Sequence, residues 1–314
     1  MNLKSSGKFN INIESINCSV SKYPLLNAKV LEITTQDIID AIVSCGILPK
    51  DLNCTTRYKR LNEISFKQHL ISMALKEHTD KSGKTLLQLD DDKLMYLDAT
   101  EKAVVSYYLG MIFTKIISSK VFGIHYLVHT KRFRENYNVS FGSLLEPDLI
   151  GYDANMSVYS LFEAKGRNGR DSRALDHAKD QLNAVNSING KAPVLKVATM
   201  VFPTLTGRNI KAVIEDPDEK GEESIAFNED DYLCSYYENL VNLTEEIREL
   251  SETNRDYKYW EDDEHIQTSA VIGGIGYGLD IPVGMRDWVV EYKSFRELGT
   301  VTERIFIEKI EHRV

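Results

Sequence analysis

The segment EPDLIGYDANMSVYSLFEAKGRNGR, residues 146 to 170, carries the residue types and spacing best suited to chemistry in this chain of 314 residues. Pro147 and Asp148 open one run of strand-favouring residues, and Glu163, Ala164 and Lys165 close the next. Side chains alternate between the faces of a strand, so Glu163 and Lys165 share a face two residues apart. If the two runs form neighbouring arms of a hairpin, Asp148 approaches that face, and two carboxylates meet one ammonium group. Such a group suits phosphodiester hydrolysis. Hard carboxylate oxygens hold Mg²⁺, which stabilises charge on phosphate oxygens and makes bound water a better nucleophile. Lys165 is placed to orient that water or to offset developing negative charge, and the Ala164 carbonyl can supply a further metal ligand.

These groups need strands and helices to hold them. Asp148–Tyr152 and Val158–Ala164 read as strands, with a third at Tyr137–Phe141. A long helix is expected from Asp98, which caps it while Glu101 completes a capping box, and Val105, Tyr108 and Ile112 recur at helical spacing. Ser172–Ile188 reads as a second helix, Val194–Phe202 as a strand ending at Pro203, and Asn209–Ile214 as a further strand. The order helix, three strands, helix, strand predicts a mixed α/β core over residues 96–215. Before it, residues 1–95 read as an accessory α+β region, with a strand at Phe9–Ile13 and helices at Thr35–Cys45 and Phe66–Lys76. The polar tract Lys76–Lys84 reads as a connector. After the core, residues 216–314 are expected to be mainly helical, with one helix over Tyr232–Leu250.

The combination of Pro147, Asp148, Glu163 and Lys165 resembles the PD-(D/E)XK nuclease superfamily, over about a third of the chain. The resemblance implies a restriction-endonuclease-like mixed sheet flanked by helices, Mg²⁺ with Mn²⁺ as a substitute, and cleavage of DNA, or less commonly RNA. Asp148 and Glu163 would then be metal ligands with the Ala164 carbonyl, and Lys165 would act in catalysis. Members often add an acidic residue from the preceding helix and a Gln or Lys from the following one, and the matching candidates are Glu101, as a metal ligand, and Gln181, which shares a helical face with His177. Arg167, Arg170 and Arg173 are the expected contacts to the DNA backbone. A role in restriction or antiphage defence and a homodimer or protein partner are compatible with the resemblance. The alternative is a non-enzymatic DNA- or protein-binding subunit on a nuclease-like scaffold.

Composition narrows the classes further. With 42% hydrophobic and 27% charged residues the chain is ordinary for a folded protein. Its net charge of −9 argues against a uniformly basic nucleic-acid surface, although Lys131, Arg132 and Arg134, and the cationic run from Lys165 to Arg173, are local exceptions. The N-terminus has no secretory pattern, and Lys115 and Lys120 interrupt the longest apolar stretch, so a cytoplasmic protein without a membrane span is expected. Four cysteines without a CxxC pair suggest reduced thiols. The GKT at 83–85 lacks the earlier glycine of a P-loop, having His78 there, and the glycines between 273 and 278 lack the spacing of a dinucleotide-binding turn. His125 and His129 share a face if helical but have no glutamate to complete a zinc site. The aromatic residues Tyr257, Tyr259 and Trp260 lie among acidic neighbours and read as packing or a protein interface.

Overall fold

Phe9, Ile11 and Ile13 alternate with polar residues, and all three are buried, as a strand with one face on a core requires. The computed structural model describes residues 7–19, 21–44, 59–137, 139, 145–153, 157–217, 223–272 and 275–298. In chain order it has β1 (Lys8–Ile16), a 3₁₀ turn (Pro24–Ala28), β2 (Val30–Thr34), α1 (Thr35–Ser44), α2 (Lys59–Ala74), β3 (Leu75–Thr79), β4 (Thr85–Leu89) and α3 (Asp91–Leu94). There follow α4 (Ala99–Phe122), β5 (Tyr126–His129), α5 (Thr130–Tyr137), β6 (Leu149–Asp153), β7 (Val158–Gly166), α6 (Ser172–Ala184), β8 (Val185–Ile188), β9 (Leu195–Pro203) and β10 (Ile210–Glu215). The chain continues through β11 (Glu223–Ile225), α7 (Glu229–Ser251), β12 (Tyr257–Glu261), β13 (His265–Ile272), β14 (Ile275–Pro282) and α8 (Val283–Leu298).

The described residues form a mixed α/β protein around a nine-stranded sheet, ordered β3-β4-β1-β10-β9-β7-β6-β5 with β2 beside β1. Antiparallel β6 and β7 are central to the site, and β7 pairs in parallel with β9. Side-chain alternation divides the apolar residues of these strands between two clusters. Phe162, Ala164, Val197 and Val201 join the buried stripe of α4, whereas Leu161, Ala198 and Met200 join Leu175, Ala178 and Leu182 of α6. Helices thus cover the sheet on both sides.

Local chemistry sets the ends of those helices. The Asp98 side chain accepts a hydrogen bond from the Glu101 N–H and the Glu101 carboxylate accepts one from the Asp98 N–H, the expected capping box, and Gly123 closes α4 in the left-handed region at φ 73°. Asp171 caps α6 by accepting from the Ala174 N–H. The predicted helix to Ile188 stops at Ala184, because Val185 and Ile188 are buried as strand residues paired in parallel with β11.

Other expectations need correction. The tract Lys76–Lys84, read as a connector, forms most of the β3–β4 hairpin, turning at Gly83 (φ 82°). The sheet continues across the boundary expected near residue 95, since β1 pairs in parallel with β10 at Asn12–Ile16. The region expected to be mainly helical after residue 216 contains an antiparallel β12-β13-β14 sheet beside its two helices, and Tyr257, Tyr259 and Trp260 lie on β12. His129 ends β5 and His125 precedes it, so they share no helical face. Of the strand expected at Tyr137–Phe141, Tyr137 instead ends α5, and most of the rest lies outside the described residues, as do Cys45, Cys54, Gly273 and Gly274. Among the described residues no helix is long and apolar enough to cross a membrane.

Two glycines bring α4 onto the end of β7. A Cβ on Gly166 would lie 1.6 Å from the Ser106 carbonyl oxygen, and one on Gly110 would lie 2.6 Å from the Gly166 nitrogen. Both close neighbours are backbone atoms, which cannot swing aside as a side chain can. Gly166→Ala is therefore expected to lower the melting temperature by roughly 5–10 °C through overpacking. An unchanged melting temperature in thermal denaturation would contradict this close approach.

Candidate functional site

The β6–β7 register pairs Leu149 with Phe162, which puts Asp148 opposite Glu163 at the next position. Their contacts are reciprocal. The Asp148 N–H donates to Glu163 Oε2 at 2.7 Å, and the Ala164 N–H donates to Asp148 Oδ2 at 3.0 Å. Strand alternation brings Lys165 to the face of Glu163, and Lys165 Nζ donates to Glu163 Oε1. It also donates to Gln181 Oε1 of α6 at 2.7 Å, while Gln181 Nε2 donates to the Glu146 carbonyl at 2.9 Å. Glu146 is held in turn by an ion pair with Arg134 of α5. Asp148, Glu163, Lys165 and Gln181, chosen from sequence, therefore converge.

Glu163 is fully buried and Lys165 is 13% exposed. Burial first, and the Asp148 charge second, push the Glu163 carboxyl up to about 8, against the opposing pull of Lys165 and of the Asp148 N–H. A buried carboxylate beside another is stabilised by added positive charge, and the donors are the hard oxygens that Mg²⁺ prefers. Among the described residues no three His, Cys, Asp or Glu side chains converge as a metal-binding group. Mg²⁺ does not require three, because it is commonly held by one or two carboxylates with water and substrate phosphate. Asp148 and Glu163, with the Ala164 carbonyl adjoining, fit such a cation.

A cleft of about 400 Å³ adjoins this group. Its walls include Asp148 and Lys165 from the strand pair and Ala103, Ser106 and Tyr107 from α4. The α4 residues reach it because the Gly110–Gly166 contact leaves no room for an intervening side chain. Glu101 does not line the cleft and serves the capping box, so the acidic residue expected from the preceding helix is absent from this wall. Helical geometry explains the difference, since Ala103 and Glu101 are about 200° apart around the axis.

The three arginines take different positions. Arg167 lines the cleft and pairs with Asp171 at 3.5 Å, whereas Arg170 is paired with Glu14 of β1 at 3.0 Å. Arg173 is exposed in the first turn of α6, and so is His177 one turn further along. Sequence reasoning missed Ser106, Tyr107 and Asn168, and set His129 aside for want of a zinc-binding partner. Asn168 Oδ1 accepts from the Ser106 hydroxyl at 3.3 Å, and the Tyr107 hydroxyl lies 3.4 Å from His129 Nε2. Burial pushes the His129 imidazole down to about 4, with the Asp148 charge opposing that shift. The one sequence signal for the α4 group is Gly110, the only glycine within α4, a turn beyond Ser106 and Tyr107.

Compared with known proteins, the chain matches no protein-family model, no curated protein and no solved structure.

Glu163 predicts a pH dependence. Its folded-state pKa lies above the ordinary 4.5, so the folded protein holds a proton that the unfolded chain releases. Its contribution to stability is fully present below the ordinary value and is lost as pH rises towards about 8. Glu163→Gln removes this titration. In EDTA, the variant's melting temperature should gain on that of the wild type between pH 5 and pH 9, by roughly 2–4 °C for each kcal/mol recovered. A difference that is the same at both pH values would contradict the buried-carboxylate assignment.

Proposed function

We propose that the protein is a Mg²⁺-dependent DNA endonuclease of the PD-(D/E)XK type, with Mn²⁺ as a substitute, built on a restriction-endonuclease-like core. The observation that carries this reading is the opposed pair Asp148 and Glu163, with the Lys165 ammonium on the Glu163 face and an open cleft beside them. Asp148 and Glu163 would hold the cation with the Ala164 carbonyl. Bound there, it would supply charge stabilisation to a phosphate and a more acidic water.

The chain's own residues account for the rest. Lys165, fixed between Glu163 and Gln181, presents an ammonium next to the cleft, where it can orient the attacking water or offset charge developing on the phosphate. Gln181 is a positioning residue, because its carbonyl holds Lys165 while its amide ties α6 to the Glu146 backbone. Arg167 on the cleft wall can meet a neighbouring phosphate oxygen. Arg170, half exposed, holds Glu14 through Nη1 and keeps further N–H donors for a phosphate. Restriction or antiphage defence is a setting that suits such an enzyme.

A second reading is favoured by one observation. The α4 face over the cleft brings Ala103, Ser106 and Tyr107, and no carboxylate, to a site whose resemblance implies one. That suits a non-enzymatic subunit that binds DNA or a protein partner on a nuclease-like scaffold. The test is cleavage of linear, circular and single-stranded DNA with Mg²⁺, Mn²⁺ or EDTA. The nuclease reading expects metal-dependent cleavage that falls about 10²-fold or more in both Asp148→Ala and Lys165→Ala, with folding retained. Full activity in both variants would sink the assignment. No cleavage by the wild type, with DNA binding indifferent to metal and to Asp148→Ala, would favour the scaffold.

A further inference from the structure

A second cavity of about 440 Å³ adjoins the carboxylate cleft. The two share Ser106, Arg167 and Asn168, so they are contiguous across a common wall. Their chemistry differs. Leu89, Val105, Leu109, Val201 and Ile210 give the second cavity an apolar lining where α4 meets the ends of β4, β9 and β10. Its charged lining residues are Lys102, Arg167, Arg208 and Asp91. Asp91 is already met by Arg208, whose Nε and Nη2 lie 2.7 and 2.8 Å from its two carboxylate oxygens. The balance is therefore positive in a protein whose net charge is −9.

Exposed apolar side chains belong to the same segments. Met95, itself a lining residue, is 67% exposed, its neighbour Tyr96 is 83% exposed, and Leu205, in the turn between β9 and β10, is 93% exposed. An apolar chamber with a cationic share of its wall suits a flat heteroaromatic ring attached to a phosphate. Its volume lies within the roughly 300–1,000 Å³ usual for small-molecule sites, room for one nucleoside but not for a stacked base pair with both backbones.

We propose that this cavity receives one unstacked base of a DNA strand whose neighbouring phosphate lies in the carboxylate cleft, so that the site selects DNA with unpaired nucleotides over perfect duplex. This rests on the nuclease reading of that cleft. Arg167, common to both walls, meets the phosphate that joins the two positions. A base enters such a chamber only after leaving its stack, and that cost is least where it is already unpaired. The apolar side chains meet the flat face of a base by stacking, a contact open to every base, so the selection is for an unpaired base of any identity.

The test measures binding and cleavage separately on the full chain. Fluorescence anisotropy with Ca²⁺ compares a labelled DNA duplex, the same duplex carrying one unpaired nucleotide, and the single strand. The wild type is expected to bind the last two about tenfold more tightly than the perfect duplex. Val105→Phe, which projects a ring into the cavity, should abolish that preference. Arg208→Asn, which keeps a side chain tolerant of the positive φ of 54° at this position, should reduce it even if the phenylalanine variant does not fold. Equal binding of the three DNAs, or a preference unchanged in both folded variants, overturns the base pocket. Cleavage of the same DNAs with Mg²⁺ reports on the nuclease reading. Cleavage without the binding preference defeats only the pocket, whereas the preference without cleavage by the wild type defeats only the nuclease.

Discussion

A carboxylate with no exposure to solvent sits directly opposite a second carboxylate, and the surrounding structure must keep both from repelling each other out of place. Glu163 meets this constraint with two donors, the Asp148 N–H and the Lys165 ammonium, while Asp148 accepts from the Ala164 N–H. The antiparallel register of β6 and β7 makes these exchanges possible, and slipping it by one residue would send Asp148 to the other face. Gln181 extends the restraint to α6, and Glu146 with Arg134 extends it to α5. Burial without enough positive charge leaves Glu163 readily protonated, which is the electrostatic condition that an added cation relieves.

The site is an opening between two helix layers on one sheet. On one side α6 brings Gln181 to Lys165; on the other, the Gly110–Gly166 contact lets α4 lie close enough for Ser106 and Tyr107 to form a wall. The same helix then lines the apolar cavity with Val105 and Leu109, residues that also belong to the main hydrophobic cluster. Packing and site are therefore the same surfaces.

The centre of the site was legible in the sequence because it depends on local periodicity. A strand's period of two places Glu163 and Lys165 together, and one hairpin brings in Asp148. The capping box at Asp98 and Glu101 was legible for the same reason, and it engages the Glu101 carboxylate at the helix terminus, outside the lining of the cleft. What the sequence did not disclose depends on distant partners. The parallel pairing of β1 with β10 joins residues about two hundred positions apart and has no local signature. Val185–Ile188 continues a helical pattern and becomes a strand only because β11 pairs with it. The strands β13 and β14 do alternate, with Ile266, Thr268 and Ala270 and then Ile275, Tyr277 and Ile281 buried, but the glycines at 276 and 278 interrupt the side-chain pattern of β14 and read as a turn. Asn168 and Ser106, far apart in the chain, are joined only by the approach of α4 to β7.

The central claim is that the Asp148 and Glu163 carboxylates are a cation site, and the most direct test is anomalous diffraction from crystals soaked in Mn²⁺. The account predicts one anomalous peak within coordination distance of both carboxylates and the Ala164 carbonyl, and its loss in Glu163→Gln crystals. No peak there in wild-type crystals that carry Mn²⁺ elsewhere, or the same peak retained in Glu163→Gln, would contradict it.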